Sequence, residues 1–332
     1  MAAQDPLSCQ NGPVAKPRVL IVSPALADAN NGNWRTASRW AQFLSGVAEV
    51  EIAREWDGGH CDAMIALHAR RSADSIARLR AARPDCPIAL VLTGTDVYRD
   101  IDESKAAQHS LQCASQLVVL QPDALDRLGA DEVAKARVIL QSARRMRRRD
   151  AARSPELVAV GHLRDEKDPL TLMAAARRLP PETPIRIVHI GDALAPELGE
   201  AARRTMAECP HYRWLGGLPR DAARRRIARA GALVHMSRME GGAQVVIEAV
   251  RSDVPVLASR IGGNLGLLGD DYEGYFAIGD DAALAALMQR FVSEPAFAAR
   301  VAAQCALREP DFTPQAERQS VRRLLRDLLA PP

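Results

Sequence analysis

The sequence predicts an α/β protein with two doubly wound, Rossmann-like domains that face each other across a cleft. The chain has 332 residues, which is long for one compact domain, and 47% of them are apolar, enough for two full cores. Short apolar runs of strand length alternate with helical patterns, as in parallel sheets covered by helices. This alternation stops at an arginine-rich stretch over residues 144–149 and then begins again, which indicates two domains.

Six buried strands are predicted before the arginine-rich stretch and six after it. The helix behind the first strand is amphipathic and carries Trp40, Phe43 and Leu44 on one face. Further helices are predicted over 170–178, 220–229 and 314–330. The predicted strands are 18–24, 47–53, 63–67, 88–92, 116–120 and 137–140 in the first set, and 157–160, 185–190, 212–215, 232–237, 254–258 and 275–277 in the second.

The predicted elements divide the chain into five parts. Residues 1–17 contain prolines and polar residues and no strand or helix pattern, so we expect a flexible tail. The other parts are a first domain (18–143), a linker (144–155), a second domain (156–313) and a C-terminal helix (314–330) that packs back on the first domain.

Composition argues against membrane and nucleic-acid partners. No apolar run approaches the about 20 residues of a membrane span, and the N-terminus has no hydrophobic signal core. We therefore expect a cytoplasmic protein with no stable membrane association. The net charge is only +3, and the arginine-rich stretch contains no aromatic residue, so no nucleic-acid partner is predicted. A homo-oligomer is compatible with the sequence.

Neither a metal nor a cofactor is predicted. The six cysteines include no Cys-x-x-Cys, the seven histidines have no ligand spacing, and no Gly-x-Gly-x-x-Gly follows a strand. The segment 100–102 has the metal-binding pattern Asp-x-Asp, but no other feature around it supports a metal site.

Residues 232–251 hold the most informative pattern in the chain. A short buried strand leads into a glycine turn and then into a helix that is apolar on nearly every side. This arrangement directs backbone N–H groups at an anion. Glu248 lies inside the helix, where a carboxylate needs hydrogen-bonding partners, and Glu240 lies at the turn. Two acids around an anion site fit a nucleotide sugar, which has an anionic middle and hydroxyl groups at its ends.

Polar clusters follow several other predicted strands. Asn31, Gly32 and Asn33 belong to a predicted tight turn that could approach a ligand closely. Ends of parallel strands meet at one edge of a sheet, which makes these clusters candidates for one site. The remaining candidates are His68, Arg70 and Arg71 as an oxyanion pocket, Thr95 and Asp96 after the fourth strand, and Arg164 and Lys167 for neutralising a diphosphate.

Two motifs of the second half resemble those of the GT-B glycosyltransferases. Residues 161–167 read GHLRDEK, and residues 240–248 read EGGAQVVIE. The resemblance covers about residues 17–330 and implies a UDP-sugar-dependent, metal-independent transferase. It implies that Glu248 binds ribose hydroxyls, that Glu240 binds sugar hydroxyls, that Gly241, Gly242 and Ala243 offer N–H groups, and that Lys167 contacts the diphosphate. Either His162 or Arg164 would take the place of the arginine that this family often has.

Longer stretches are similar to the selenosugar synthases of bacterial selenoneine biosynthesis. They cover 23–34, 67–73, 92–98, 141–143, 237–243 and 259–264. The resemblance implies transfer of N-acetylglucosamine or glucose from UDP to the selenium of selenophosphate, and loss of phosphate would give a 1-selenosugar. We expect Asn31, Gly32, Asn33, Arg70, Arg71, Thr95 and Asp96 to bind the acceptor, and Asn33, His68 and Arg71 to act in catalysis.

Three alternatives remain at this stage. A UDP-sugar 2-epimerase would have the same two domains but would release UDP without an acceptor. A transferase acting on a lipid-linked or polysaccharide acceptor would show an apolar or basic amphipathic patch on the first domain. A nucleotide-sugar sensor would bind UDP and turn nothing over.

Overall fold

The computed structural model describes residues 15–26, 32–146 and 156–330. It contains two sheets of six parallel strands each, with helices on both faces, which confirms the predicted fold class. The first sheet contains β1 (Arg18–Val22), β2 (Glu49–Ala53), β3 (Ala63–Leu67), β4 (Ile88–Leu92), β5 (Gln116–Val119) and β6 (Ala136–Val138). The second contains β7 (Glu156–Val160), β8 (Arg186–Ile190), β9 (Tyr212–Trp214), β10 (Ala232–His235), β11 (Val256–Ser259) and β12 (Tyr275–Phe276).

Helices connect the strands and cover the sheets. They are α1 (Gly32–Leu44), α2 (Ala73–Ala82), α3 (Ile101–Glu103), α4 (Lys105–Cys113), α5 (Ala130–Ala134), α6 (Pro169–Arg178), α7 (Pro196–Glu208), α8 (Arg220–Ile227), α9 (Gln244–Val250), α10 (Gly262–Leu268), α11 (Asp281–Ser293), α12 (Pro295–Arg308) and α13 (Pro314–Leu329). A π-helical turn spans Asp96–Asp100, and 3-10 turns span Pro122–Arg127, Asp165–Lys167 and Glu309–Phe312.

Strand order determines where each sheet can hold a ligand. The first sheet runs β2-β1-β3-β4-β5-β6 and the second runs β12-β11-β10-β7-β8-β9. The chain therefore reverses its direction of winding between β1 and β3, and again between β7 and β10. In open parallel sheets the crevice at such a reversal, outside the carboxyl ends of the strands, is where ligands bind.

Buried strands explain why the apolar runs are continuous rather than alternating. All five residues of β3 are buried, with Ile65 and Leu67 in the core on one face and Met64 in the core on the other. A strand covered by helices on both faces must be apolar at every position. The predicted strand 254–258 begins two residues later, at Val256, since Pro255 has no N–H to pair.

The C-terminal helix α13 returns to the first sheet and packs against α1. Val321, Leu324 and Leu328 share a core with Trp40. Glu317, which is 1% exposed, accepts hydrogen bonds from Arg39 Nε at 2.8 Å, Trp40 Nε1 at 2.8 Å and Ser142 N–H at 2.8 Å. Because all three donors surround one carboxylate, this end of the chain is tied to α1 and to the strand-end segment that leaves the first sheet.

Two expectations concern membranes and cysteines. No described helix is long and apolar enough to span a membrane. The described cysteines, Cys61, Cys86, Cys113, Cys209 and Cys305, are free thiols. The expected tail up to residue 14 and most of the expected linker, 147–155, lie outside the described residues.

Candidate functional site

Lys167 and Glu240 meet at the point where the second sheet reverses. Lys167 ends the 3-10 turn behind β7, and Glu240 lies in the loop behind β10. The Lys167 ammonium donates to Glu240 Oε1, and Ser237 Oγ donates to the same oxygen at 2.9 Å. His235 Nε2 lies 3.5 Å from it. Burial alone would raise the pKa of the Glu240 carboxyl, but Lys167 and His235 hold that pKa well below its usual range. Glu240 is therefore an anion at the mouth of the crevice.

Glu248 lies further into α9 and is 4% exposed. Its Oε1 is 3.4 Å from Arg220 Nη2 and 3.5 Å from Arg224 Nε, both on α8. Burial raises the pKa of Glu248, while Arg224 and Arg220 oppose that rise. Helix α9 thus places Glu248 inside the fold, as the sequence indicates. Its partners come from the arginine-rich helix α8, for whose residues no role was predicted.

The glycine turn between these two acids touches the first domain. A Cβ atom built on Gly241 would lie 2.4 Å from the Thr93 carbonyl oxygen, and one built on Gly94 would lie 3.0 Å from Gly241 N. Only residues without a side chain allow the two backbones to approach so closely. Gly242 lies beside Gln141 of the first domain, and Ala243 is buried. The turn predicted to offer N–H groups is therefore also a contact between the domains.

His68 follows β3 in a left-handed conformation, with φ 76°. It is 2% exposed, its Nε2 lies 3.1 Å from Thr95 Oγ1, and its Nδ1 accepts from Arg71 N–H at 3.4 Å. Because Nδ1 accepts, the proton is on Nε2, which then donates to Thr95. Burial lowers the pKa of His68 although Asp96 opposes that effect. His68 is therefore a neutral imidazole that orients the Thr95 hydroxyl group.

Asp96 has an internal role in the loop behind β4. It is fully buried, and its carboxylate accepts from Thr93 N–H at 2.8 Å, Gly94 N–H at 2.7 Å and Ala69 N–H at 3.1 Å. We expected Asp96 to contact an acceptor, but its buried carboxylate accepts from three backbone N–H groups of the first domain. Asp96 instead holds Gly94 and Thr95 in place.

Of the three predicted cationic groups behind β3, one is left uncompensated. His68 is neutral, and Arg70 Nε donates to Asp100 Oδ2 at 2.8 Å. Arg71 is exposed, and within the described residues no carboxylate pairs with it. Asp100 is the first aspartate of the Asp-x-Asp segment, and in this structure it pairs with Arg70. No three His, Cys, Asp or Glu side chains group as metal ligands in ranges 15–26, 32–146 and 156–330.

Residues of the predicted turn before α1 fall into two groups. Asn31 lies outside the described residues. Gly32 and Asn33 form the first turn of α1 rather than a loop, because the helix begins at Gly32, whose carbonyl accepts from Thr36 Oγ1 at 3.0 Å. Gly32 is exposed, and a Cβ atom there would meet open space.

An ion pair connects the loop behind β7 to the first domain. Arg164 Nε lies 3.7 Å from Glu166 Oε2, and Arg99 of the first domain reaches the same carboxylate at 3.8 Å. His162 is turned toward Asp192, whose N–H donates to its Nδ1 at 3.2 Å. Arg164 and Lys167 are therefore the two cations that this loop presents near the crevice.

Sequence spacing does not indicate that three further arginines belong to this site, namely Arg35, Arg220 and Arg224. Arg35, on α1 of the first domain, lies close enough to Arg220 and Glu248 for their charges to act on it, and burial together with Arg220 lowers its pKa. Its Nε is buried, with no hydrogen-bond acceptor in the described part of the chain. Arginines are frequent in this sequence, so only the folded arrangement singles these three out.

Comparison with known proteins finds a family model that matches the second half of the chain. Residues 144–306 match the family model described as "Glycosyl transferases group 1". Among solved structures, HepE from Anabaena in complex with UDP-glucose is 15% identical, with a TM-score of 0.74 over 94% of this chain and 100% of that one. A sucrose-phosphate synthase from Thermosynechococcus elongatus is 18% identical, with a TM-score of 0.76 over 94% and 99%. A glycosyltransferase from Rickettsia africae is 13% identical, with a TM-score of 0.74 over 96% and 100%. At these identities the likeness shows the shared fold.

Proposed function

We propose that the protein is a glycosyltransferase that transfers a sugar from a UDP-sugar to selenophosphate, on the premise of its GT-B fold and of the group 1 match over residues 144–306. The observation that carries the donor part is the set of Lys167, Glu240 and Glu248 at the reversal of the second sheet. A cation and two acids in one crevice match a donor with a diphosphate between two hydroxyl-bearing sugars.

The donor lies along the second domain in this proposal. Glu248 binds the ribose hydroxyls, and Glu240 binds hydroxyls of the transferred sugar. Lys167 and Arg164 neutralise the diphosphate, for which Lys167 leaves its bond to Glu240. The structure of HepE with UDP-glucose supports this choice of donor, because that protein shares the fold over its whole length.

The acceptor lies against the first domain. Four stretches similar to selenosugar synthases follow β1, β3, β4 and β10 in the chain, and their described residues begin at carboxyl ends of these strands. Gly94 and Gly241, from two of these stretches, are in contact. Arg71 supplies the uncompensated positive charge for a small anion, and the neutral His68 with Thr95 supplies a hydroxyl group of fixed orientation.

A small anion also fits the surface of the first domain better than a lipid does. The large apolar side chains that are exposed in the described part of that domain are Val47 and Val133, which are 41% and 40% exposed and lie on separate elements. An apolar patch of a few hundred Å² is what a lipid-binding surface would need.

The chemistry requires no strong base. The anionic selenium of selenophosphate attacks the anomeric carbon, and the bond from that carbon to the UDP oxygen breaks, so the leaving group takes the electron pair. Water then cleaves the selenium–phosphorus bond, giving inorganic phosphate and the 1-selenosugar. Arg71, His68 and Asn33 position the acceptor, while Lys167 and Arg164 stabilise the charge on the departing UDP. The cations of the protein carry this charge, so the proposed reaction needs no metal.

The test is UDP release from UDP-N-acetylglucosamine and UDP-glucose, with and without selenophosphate, followed by mass spectrometry. The proposal expects UDP and a selenium-bearing sugar only when selenophosphate is present. UDP release without an acceptor would instead identify hydrolysis or a 2-epimerase. Binding of UDP without any turnover would reject selenophosphate and favour another acceptor or a sensor.

A further inference from the structure

Two guanidinium groups pair with the carboxylate of Glu248 and a third acts on it by charge, and we call the three the arginine cluster. Arg220 and Arg224 come from α8 of the second domain, and Arg35 comes from α1 of the first. Three positive charges face one negative charge, which leaves a surplus of two in a partly buried place between the domains. Such a surplus is unfavourable unless an anion joins it.

The two ion pairs of Glu248 are longer than a charge-assisted hydrogen bond. Glu248 Oε1 is 3.4 Å from Arg220 and 3.5 Å from Arg224. By contrast, the Arg39–Glu317 pair measures 2.8 Å, close to the usual length of a charge-assisted hydrogen bond. Neither Arg220 nor Arg224 makes a short ion pair with Glu248.

Two buried nitrogens of the cluster make no hydrogen bond. Arg35 Nε has no hydrogen-bond partner among the described residues, and Arg224 Nε has only the 3.5 Å ion pair with Glu248. Arg224 keeps one bond, from Nη2 to the Arg144 carbonyl at 2.6 Å. A buried donor without a partner destabilises the free protein, so these groups point to a ligand that satisfies them.

We propose that the arginine cluster binds the α-phosphate of the nucleotide, with Arg35 reaching it from the opposite domain. In this arrangement the ribose hydroxyls take the oxygens of Glu248, and the phosphate takes the guanidinium groups thereby released. The inference rests on the proposed UDP-sugar donor and adds a nucleotide-binding residue in the first domain.

Order of binding follows from the position of Arg35. It lies on α1, one turn after Gly32 and Asn33, which are proposed to hold the acceptor. A nucleotide that fixes Arg35 therefore also fixes the helix that contacts the acceptor. The donor binds first, and selenophosphate binds more tightly to the protein that already holds UDP.

Calorimetric titration of UDP and of uridine tests this without turnover. Arg35→Met is expected to weaken UDP binding at least about tenfold, to leave uridine binding unchanged, and not to lower the Tm of the free protein, because it removes a like-charged neighbour of Arg220. Arg225→Met, on the exposed side of α8, is the matched control and should bind UDP like the wild type.

Two outcomes overturn the inference. One is equal UDP binding by Arg35→Met and the wild type, and the other is a parallel loss of UDP and uridine binding, which would mean a structural role. If Arg35→Met does not fold, Arg35→Lys is tested in its place. Lysine lacks the planar guanidinium, so an unchanged UDP affinity of Arg35→Lys would also contradict the inference. Failure of the wild type to bind UDP would instead reject the proposed donor.

Discussion

The Lys167 ammonium and the Glu240 carboxylate form an ion pair between the loops behind β7 and β10, where the second sheet reverses. The two side chains are 19% and 14% exposed, so neither charge is fully solvated. In the free protein the two charges neutralise each other. When a UDP-sugar binds, its phosphate can pair with Lys167 and its hydroxyl groups can pair with Glu240.

Replacing Lys167 with Met tests its role toward the diphosphate. Lys167→Met is expected to lower kcat/KM by about 100-fold or more, since a cation at a developing charge is worth about that much. Steady-state UDP release measures it. The exposed Lys105→Met is the matched control. A Lys167→Met variant with the kcat/KM of the wild type would remove Lys167 from the mechanism.

The same pair predicts a dependence of stability on pH. The pKa of Glu240 is depressed in the folded protein by Lys167 and His235. A carboxyl with a depressed pKa adds stability above its unfolded pKa of about 4.3 and loses it as the pH falls below that value. The Tm of the wild type should therefore exceed that of Lys167→Met at pH 7, and the difference should shrink below about pH 4.3. A difference that grows toward acid would contradict this sign.

His68 is predicted to stay neutral at pH 7. Burial lowers its pKa, so protonation opposes the folded state, and stability decreases as the pH falls below the unfolded value of about 6.5. His68→Asn, which tolerates the left-handed backbone, should lose less Tm than the wild type between about pH 7 and 5. Melting curves of both proteins across this range measure it, and an equal loss of Tm would show that His68 does not titrate as stated.

Arg71 is predicted to act on the acceptor alone. Arg71→Ala should raise the KM for selenophosphate about tenfold or more, the worth of one charged hydrogen bond, and leave the donor KM within about twofold. Arg78→Ala, an exposed arginine on α2 that pairs with Asp74, is the control. Equal changes in both KM values would count against an acceptor role for Arg71.

Gly241 is predicted to tolerate no side chain. The Cβ atom of Gly241→Ala would meet the backbone of Thr93 and Gly94, neither of which can rotate away. We expect the domains to separate at this contact and kcat/KM to fall about tenfold or more. Gly129→Ala, where the new atom meets only ordinary contacts, is the control. Activity of Gly241→Ala equal to that of the wild type would show that this contact is not needed.

Some of this organisation could be predicted from the sequence because it depends on local pattern. Continuous apolar runs indicated the strands, and the spacing of Glu240 and Glu248 on one turn and helix placed both acids. The inward turn of Asp96 could not be predicted, because its three partners include Ala69 on another strand-end loop. The charge interaction of Arg35 with Glu248 joins residues over 200 positions apart, and no periodic pattern in the sequence indicates it.

The most direct test of the central claim is a ³¹P NMR time course with UDP-N-acetylglucosamine and selenophosphate, repeated with UDP-glucose and with EDTA present. We predict that the selenophosphate signal disappears at the rate at which UDP appears, that inorganic phosphate follows, and that EDTA changes neither rate. UDP that appears while selenophosphate persists, or no UDP from either donor, would contradict a transferase that uses selenophosphate.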